Sequence, residues 1–228
     1  MTLVPPENWF MVPHRTLVRS LGYTIRELLL PYQPDLYRNY CRIPACMVYR
    51  VEKDGAERTI KLPRPSYMNC VSDYDQTEIC THEDTVDQIR RENEILDKIG
   101  RVPGIVKKHA YHSDLSEDCI DYLFNMLTLS AFSRKIIPAI VKEYVPGQPF
   151  GEKPLSTHAT RTLTEAVDTL HGAGYARLDI DPSNIIVTPD GNPVIIDLGF
   201  AVRADEVEPR AWQQHKADDI YYLKHLCP

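Results

Sequence analysis

The chain has 228 residues, 43% of them hydrophobic, and a formal net charge of −6 with no basic run. That length and apolar content suffice for a sizeable core, as one domain or two small lobes, and the acidic balance argues against nucleic acid as a partner. Six cysteines without a C-x-x-C pair, a start without a basic end and apolar run, and no apolar stretch near the roughly 18 residues of a membrane span predict reduced thiols and no membrane association. The expected compartment is intracellular, the cytoplasm first and the nucleus left open.

Residues 1–41 read as an N-terminal extension packed on the domain, with a specific docking arm as the alternative. Leu17, Val18, Leu21, Ile25, Leu28 and Leu29 fall near helical spacing and predict one amphipathic helix that Pro31 stops. Two strand-like pieces, CMVYRV and ERTIKL, then flank Asp54-Gly55, a hairpin signal. Pro63 to Cys80 is a long connection without clear periodicity. A helix is predicted over 84–99, with Thr81 or Asp84 as cap and Gly100 ending it. Val86, Ile89, Ile95, Leu96 and Ile99 make its apolar face, and Arg90, Arg91, Glu94, Asp97 and Lys98 lie opposite. Glu92 falls inside the apolar face. Either it reaches solvent at the edge of the stripe, or it is buried and requires a cation from another element.

Gly104 to Tyr111 and Ala139 to Val145 read as two further strands, separated by a long segment that includes the apolar run Tyr122 to Leu129. His109 with His112, and Cys80 with His82, supply no four-ligand metal pattern and read as surface or packed residues. Ser156 or Thr157 can cap a helix running through His171, whose apolar side is Leu163, Ala166, Val167 and Leu170. Beyond it, Ile185-Ile186-Val187 and Val194-Ile195-Ile196 flank the turn formers Thr188-Pro-Asp-Gly-Asn-Pro193, which is a β-hairpin. Asn184 and Asp197 lie equally far from Asp190-Gly191, so antiparallel pairing would set them side by side, with Asp179 in a loop just before. Two carboxylates and an amide at one spot suit Mg²⁺ bound with substrate phosphates, and a carboxylate that orients a hydroxyl nucleophile.

Asp179-Ile-Asp-Pro-Ser-Asn184 resembles the catalytic loop of protein kinases, and Asp197-Leu-Gly199 resembles their D-F-G motif. The resemblance implies an α+β, bilobal protein-kinase-like fold over 42–228, with a small β-rich N-lobe (about 42–145), a reduced, mainly helical C-lobe (about 146–228), and ATP with Mg²⁺ between them. It implies Asp179 as catalytic base and Asn184 and Asp197 as metal ligands. Ile60-Lys61 matches the end of V-A-I-K, so Lys61 is expected at the nucleotide phosphates, paired with Glu92 as the cation that residue requires. Val48 is expected against the base, and backbone groups of Glu143 and Val145 at adenine. Asp219, in the helical stretch Lys216 to Leu223, corresponds to the kinase residue that braces the catalytic loop.

Several positions depart from the kinase pattern. Arg42-Ile-Pro-Ala-Cys-Met47 stands where G-x-G-x-x-G is expected, and Pro44 has no N–H to offer a phosphate. Leu178 replaces the arginine that answers a phosphorylated activation loop, and Asp181 replaces a lysine near the transferring phosphoryl group. No A-P-E motif follows. Small atypical kinases, including those of the tRNA-modifying KEOPS complex, also have brief activation segments, while the amino-terminal half here offers no specific match to them. The implied activity is γ-phosphoryl transfer to a hydroxyl of an unnamed protein or small molecule. The alternatives are a pseudokinase acting as a nucleotide-binding or scaffolding module, and a small-molecule kinase.

Overall fold

The computed structural model describes residues 12–29, 46–63, 82–115, 137–151 and 155–226. The chain divides into two units, Met1–Val86 with Ala110–Val141, and Asp87–His109 with Lys142–Pro228. The architecture is mixed α and β, a sheet-rich N-terminal region with helices later in the chain. No helix among the described residues is long and apolar enough to cross a membrane.

The first unit is built on a five-stranded sheet ordered β1-β2-β3-β5-β4, from β1 (Thr24–Leu28), β2 (Cys46–Lys53), β3 (Ala56–Pro63), β4 (Lys108–Leu115) and β5 (Ile137–Glu143). β2 and β3 form the hairpin expected at Asp54-Gly55; both turn residues have positive φ, 52° and 73°, the pairing a two-residue type I′ turn requires. Alternation along β2 and β3 sends Tyr49, Val51, Ile60 and Leu62 into a core shared with Leu17 and Val18 of helix α1 (Val12–Ser20) and with Ile137, Ala139 and Val141 of β5.

The segment read as a helical extension is a correction. α1 ends at Ser20, Gly22 turns the chain with φ 79°, and Thr24–Leu28 pairs antiparallel with β2 as an edge strand. Ile25 and Leu28 lie three residues apart, which suits a helix; a register shift between Ile25 and Glu27 restores both to partial burial on the strand.

In the second unit, α2 (His82–Ile99), which begins in the first, buries Ile89, Ile95 and Leu96 and exposes Arg90, Glu94, Asp97 and Lys98, as its periodicity predicts. Helix α3 (Thr157–Gly172) starts at Ser156, whose Oγ accepts from the Ala159 N–H at 3.2 Å, and buries Ala159, Leu163, Ala166, Val167 and Leu170. A three-stranded sheet joins β6 (Gln148–Pro149), β8 (Ile185–Val187) and β9 (Pro193–Ile195). A two-stranded sheet joins β7 (Tyr175–Ala176) to β10 (Val202–Arg203), and helix α4 (Pro209–Leu226) follows. The strand expected at Gly104–Tyr111 lies further along as β4, and Ile105 bridges to Ile195. Thr81, Cys80, Arg42 to Ala45, most of the 63–80 connection and Tyr122 to Leu129 fall outside the described residues.

Candidate functional site

The loop between β7 and β8 is shaped by alternating burial. Leu178 and Ile180 are buried, while Arg177 and Asp179 take left-handed backbone conformations, φ 57° and 51°, that turn them outward. A non-glycine residue holds such a φ only where its surroundings over-determine it. Here the carboxylate of Asp219, 3% exposed in α4, accepts from the N–H of Arg177 (2.9 Å) and of Leu178 (2.8 Å), and pairs with Nε2 of His171 from α3 at 2.9 Å. The brace that the resemblance implied for Asp219 is therefore present; His171, noticed in the sequence only as the end of a helix, is its third partner. After Asp179 the chain tightens into a 3₁₀ turn (Pro182–Asn184) capped by Asp181, whose Oδ1 accepts from Ser183 N–H at 2.8 Å and Ser183 Oγ at 2.5 Å.

Asn184 donates from Nδ2 to both the carbonyl (3.1 Å) and Oδ2 (2.9 Å) of Asp179. Asp197 is next in line, with one correction to the symmetric register. Ile185 pairs with Ile195, so Asn184 stands opposite Ile196, whose N–H donates to the Asn184 carbonyl at 2.9 Å, and Asp197 follows one residue later. The odd residue is in the turn, where Thr188 and Asn192 close a five-residue loop. Oδ1 of Asp197 accepts from the Gly199 N–H at 2.9 Å, which fixes the carboxylate. Although Asp179 is exposed, partial desolvation of its carboxyl pushes it above the ordinary aspartate range; the Asn184 bond opposes the shift, the charges of Asp197 and Asp181 add to it, and Arg177 opposes.

The donor set fits a magnesium ion. With Asn184 Nδ2 committed to Asp179, the amide oxygen is the atom left to act as an acceptor, one residue from an oriented carboxylate. Among the described residues no three His, Cys, Asp or Glu side chains gather as a metal site closed by the protein alone. One carboxylate and one amide oxygen correspond to the other mode, in which Mg²⁺ takes a few protein oxygens and completes its shell with phosphate and water.

Glu92 is fully buried, so the edge-of-stripe alternative does not hold. Its carboxylate Oε1 accepts from Nζ of Lys142 at 2.5 Å, and the same ammonium donates to the Ile196 carbonyl at 2.6 Å. Lys142, read from sequence only as part of a strand, is a cationic partner of Glu92 that the sequence reading missed. Its signal was there: a lysine at the end of the apolar run Ile136-Ile-Pro-Ala-Ile-Val141, where burial is expected and a charge must be answered. α2 holds the stretch after β9 at two more points, since Gly199 lies against Gln88 and Arg91 pairs with Glu206. The Glu143 N–H donates to the Lys107 carbonyl (2.8 Å) and its Oε1 accepts from the Lys107 N–H (2.9 Å), which narrows the expected adenine contact to its carbonyl. Val145 follows, half-buried. In the first unit Val48 and Lys61 are direct cross-strand partners, on the face of the hairpin opposite the core; Lys61 is 2% exposed.

No family model matches the chain. Part of it is similar to the serine/threonine-protein kinase AfsK of Streptomyces griseus, 33% identical over 87 residues, which is 34% of this chain and 11% of that protein. Another comparison aligns 117 residues, 51% of this chain, with 33% of mitogen-activated protein kinase kinase kinase 20 of Arabidopsis thaliana at 28% identity. A 55-residue stretch, 24% of the chain, is 46% identical to a tenth of a probable bifunctional tRNA threonylcarbamoyladenosine biosynthesis protein of Methanoculleus marisnigri. The matches thus span a third or less of each relative's length. They support a distant, partial likeness to protein kinases at the level of the kinase-like superfamily.

Proposed function

We infer that this chain is a phosphotransferase of the protein-kinase-like type, moving the γ-phosphoryl group of Mg²⁺-ATP to a hydroxyl acceptor. The observation that carries the reading is the placement of Asp179 beside Asn184 and one strand-end from Asp197, on a loop whose backbone is clamped by Asp219. Preorganisation of this kind is what phosphoryl transfer requires, because its catalysis is almost entirely positioning and charge stabilisation.

In the proposed step the acceptor hydroxyl gives its proton to the Asp179 carboxylate as its oxygen bonds to the γ-phosphorus. The bond from that phosphorus to the β,γ-bridging oxygen breaks, and ADP leaves. A carboxyl pKa raised above the ordinary aspartate range makes Asp179 a stronger proton acceptor than a free aspartate. Asn184 and Asp197 would hold Mg²⁺, which neutralises phosphate charge when bound. Lys61 is assigned to phosphate, Val48 to the base, and the carbonyl of Glu143 with the backbone of Val145 to adenine. Glu92 acts through Lys142.

A second reading, a nucleotide-binding pseudokinase, is favoured by one observation: Asp181, where a lysine would face the transferring phosphoryl group, is an acceptor bonded to Ser183. Asp179→Asn separates the two. It preserves shape and leaves Asn184 and Asp197 untouched, so nucleotide binding should persist, whereas transfer should fall by about two orders of magnitude or more, the scale of a positioned general base. Labelled ATP is offered with protein and with small-molecule hydroxyl acceptors in parallel, which also tests the small-molecule alternative. Wild-type transfer that survives undiminished in the variant removes Asp179 from the mechanism; nucleotide binding without wild-type transfer to any acceptor selects the pseudokinase.

A further inference from the structure

We propose that Lys142 is a positioning residue for the metal-binding edge, tying Glu92 of α2 to the peptide that carries Asp197; this rests on the function proposed above. β9 ends at Ile195, and the next carbonyl, that of Ile196, has left the ladder and still requires a donor. The Lys142 ammonium supplies it at 2.6 Å, from a side chain 5% exposed, while Glu92 Oε1 holds the same ammonium at 2.5 Å from a fully buried position. The Ile196 carbonyl and the Asp197 N–H belong to one rigid peptide plane. The preceding peptide is held in turn, because the Ile196 N–H donates to the Asn184 carbonyl at 2.9 Å. Ile196 is thereby fixed by Asn184 on its amide side and by Lys142 on its carbonyl side, and Gly199 N–H orients the Asp197 carboxylate. The spacing between Asn184 and Asp197, the two proposed magnesium ligands, is thus set by a buried cation that touches neither side chain.

A buried ion pair is weak grounds for a purely stabilising role, since apolar residues of similar volume often do as well or better; the geometry it imposes on the Ile196 peptide is the role proposed here. The pair also explains how α2 bears on the site. Gln88, Arg91 and Glu92 lie at helical spacing on one side of α2, and meet Gly199, Glu206 and, through Lys142, Ile196. The residues after β9 are held along their length from one helix.

The test uses the full chain and reads metal dependence apart from turnover. Lys142→Met removes the cation that links Glu92 to Ile196, and the double substitution Lys142→Met with Glu92→Met removes both members of that buried pair. Magnesium is titrated into each protein in the presence of a non-hydrolysable ATP analogue, after circular dichroism and melting establish folding. The expected result, with each protein saturated with the analogue at its own affinity, is a requirement for about 10-fold to 100-fold more Mg²⁺ in the double variant, the range found when groups that orient metal ligands are removed. Lys142→Arg, which keeps a cation in place, should recover part of the loss. A merely structural role would lower the melting temperature and leave the magnesium dependence alone, and that outcome overturns the proposal. The wild type gives a second reading: the carbonyl carbon resonance of Ile196 and the side-chain resonances of Lys142 should shift when Mg²⁺ joins the bound analogue, and unchanged resonances also overturn it. If the wild type binds no Mg²⁺-nucleotide at all, the proposed function fails first and this inference with it; normal wild-type binding with an unaltered double variant sinks this inference alone.

Discussion

Asp179 carries three features that agree at one residue: a left-handed backbone (φ 51°), a hydrogen bond from Asn184 Nδ2 at 2.9 Å, and a carboxyl pushed upward chiefly by partial desolvation. The last has a consequence for stability that needs no substrate. A carboxyl whose folded-state pKa is raised binds its proton more tightly folded than unfolded. Its contribution is therefore fully present below the ordinary aspartate value of about 3.9 and is lost as pH rises through the folded value. At neutral pH the ionised Asp179 is a net cost to the fold. Asp179→Asn abolishes that titration while retaining an oxygen that can accept from Asn184. The variant should be at least as stable as the wild type at pH 7, with an advantage that shrinks as pH falls through the window above 3.9. Urea unfolding of both proteins at closely spaced pH values checks this, and a variant less stable at neutral pH than at acid pH, relative to wild type, would contradict the sign. Much of this site was legible in the sequence because Asp179, Asn184 and Asp197 are few residues apart and joined by a recognisable hairpin. Lys142 was not, because its partners Glu92 and Ile196 lie 50 and 54 residues away and a strand pattern alone says nothing of what a lysine meets.

At the scale of elements, hairpins were the readable part. The two turn-forming stretches at 54–55 and 188–193 carry local chemistry that fixes where the chain reverses, and the strands on either side pair as expected, the second with a one-residue offset. The first thirty residues misled for a physical reason: Leu17, Leu21, Ile25 and Leu28 satisfy a helical period, and only a glycine with positive φ and a bulge convert the latter half into a strand with the same residues partly buried. The turn from β5 into β6 is more demanding than its sequence, Pro146-Gly147, suggests. A Cβ added at Gly147 would stand 2.2 Å from the Val187 carbonyl oxygen and 2.8 Å from Ile186 Cγ2, and the neighbouring residues of β6 and β8 pair there through Gln148 and Val187. Backbone cannot move aside as a flexible side chain can. Gly147→Ala should therefore destabilise by roughly 2 kcal/mol or more, the range of strain and overpacking effects. Gly151→Ala, which would meet nothing within 4 Å among the described residues, should be close to neutral. Denaturant midpoints of the two variants, compared with wild type, decide it; equal midpoints would mean that β6 and β8 separate at little cost.

For the molecule as a whole, two units each carry residues assigned to nucleotide binding: Val48 and Lys61 face each other across the β2–β3 hairpin, and the Asp179, Asn184 and Asp197 set lies on the loop and hairpin of the second unit. An overall likeness to kinases could be read from motif order. That Lys142 joins Glu92 to Ile196, and how α2 grips the D-L-G stretch, could not, because these depend on side chains brought together by tertiary packing. The global prediction follows from mass action. A ligand that binds only the folded state adds RT ln(1 + [L]/Kd), about 2.7 kcal/mol at a hundredfold excess over Kd. Mg²⁺-ATP should stabilise the protein on that scale, and ATP with a chelator should stabilise it less, since phosphate charge would then face Asp197 and Asp179 without neutralisation. Asp197→Asn removes the charge from one of two proposed metal ligands and half of that repulsion. It should shrink the gap between the magnesium and chelator conditions from both sides, raising the stabilisation by ATP alone and lowering the increment from metal. Melting curves across the four combinations of protein and ligand measure that gap directly. A wild type that melts at one temperature with and without saturating Mg²⁺-ATP would remove nucleotide from the account altogether, while a gap of equal size in wild type and Asp197→Asn would keep the nucleotide and move the metal away from Asp197.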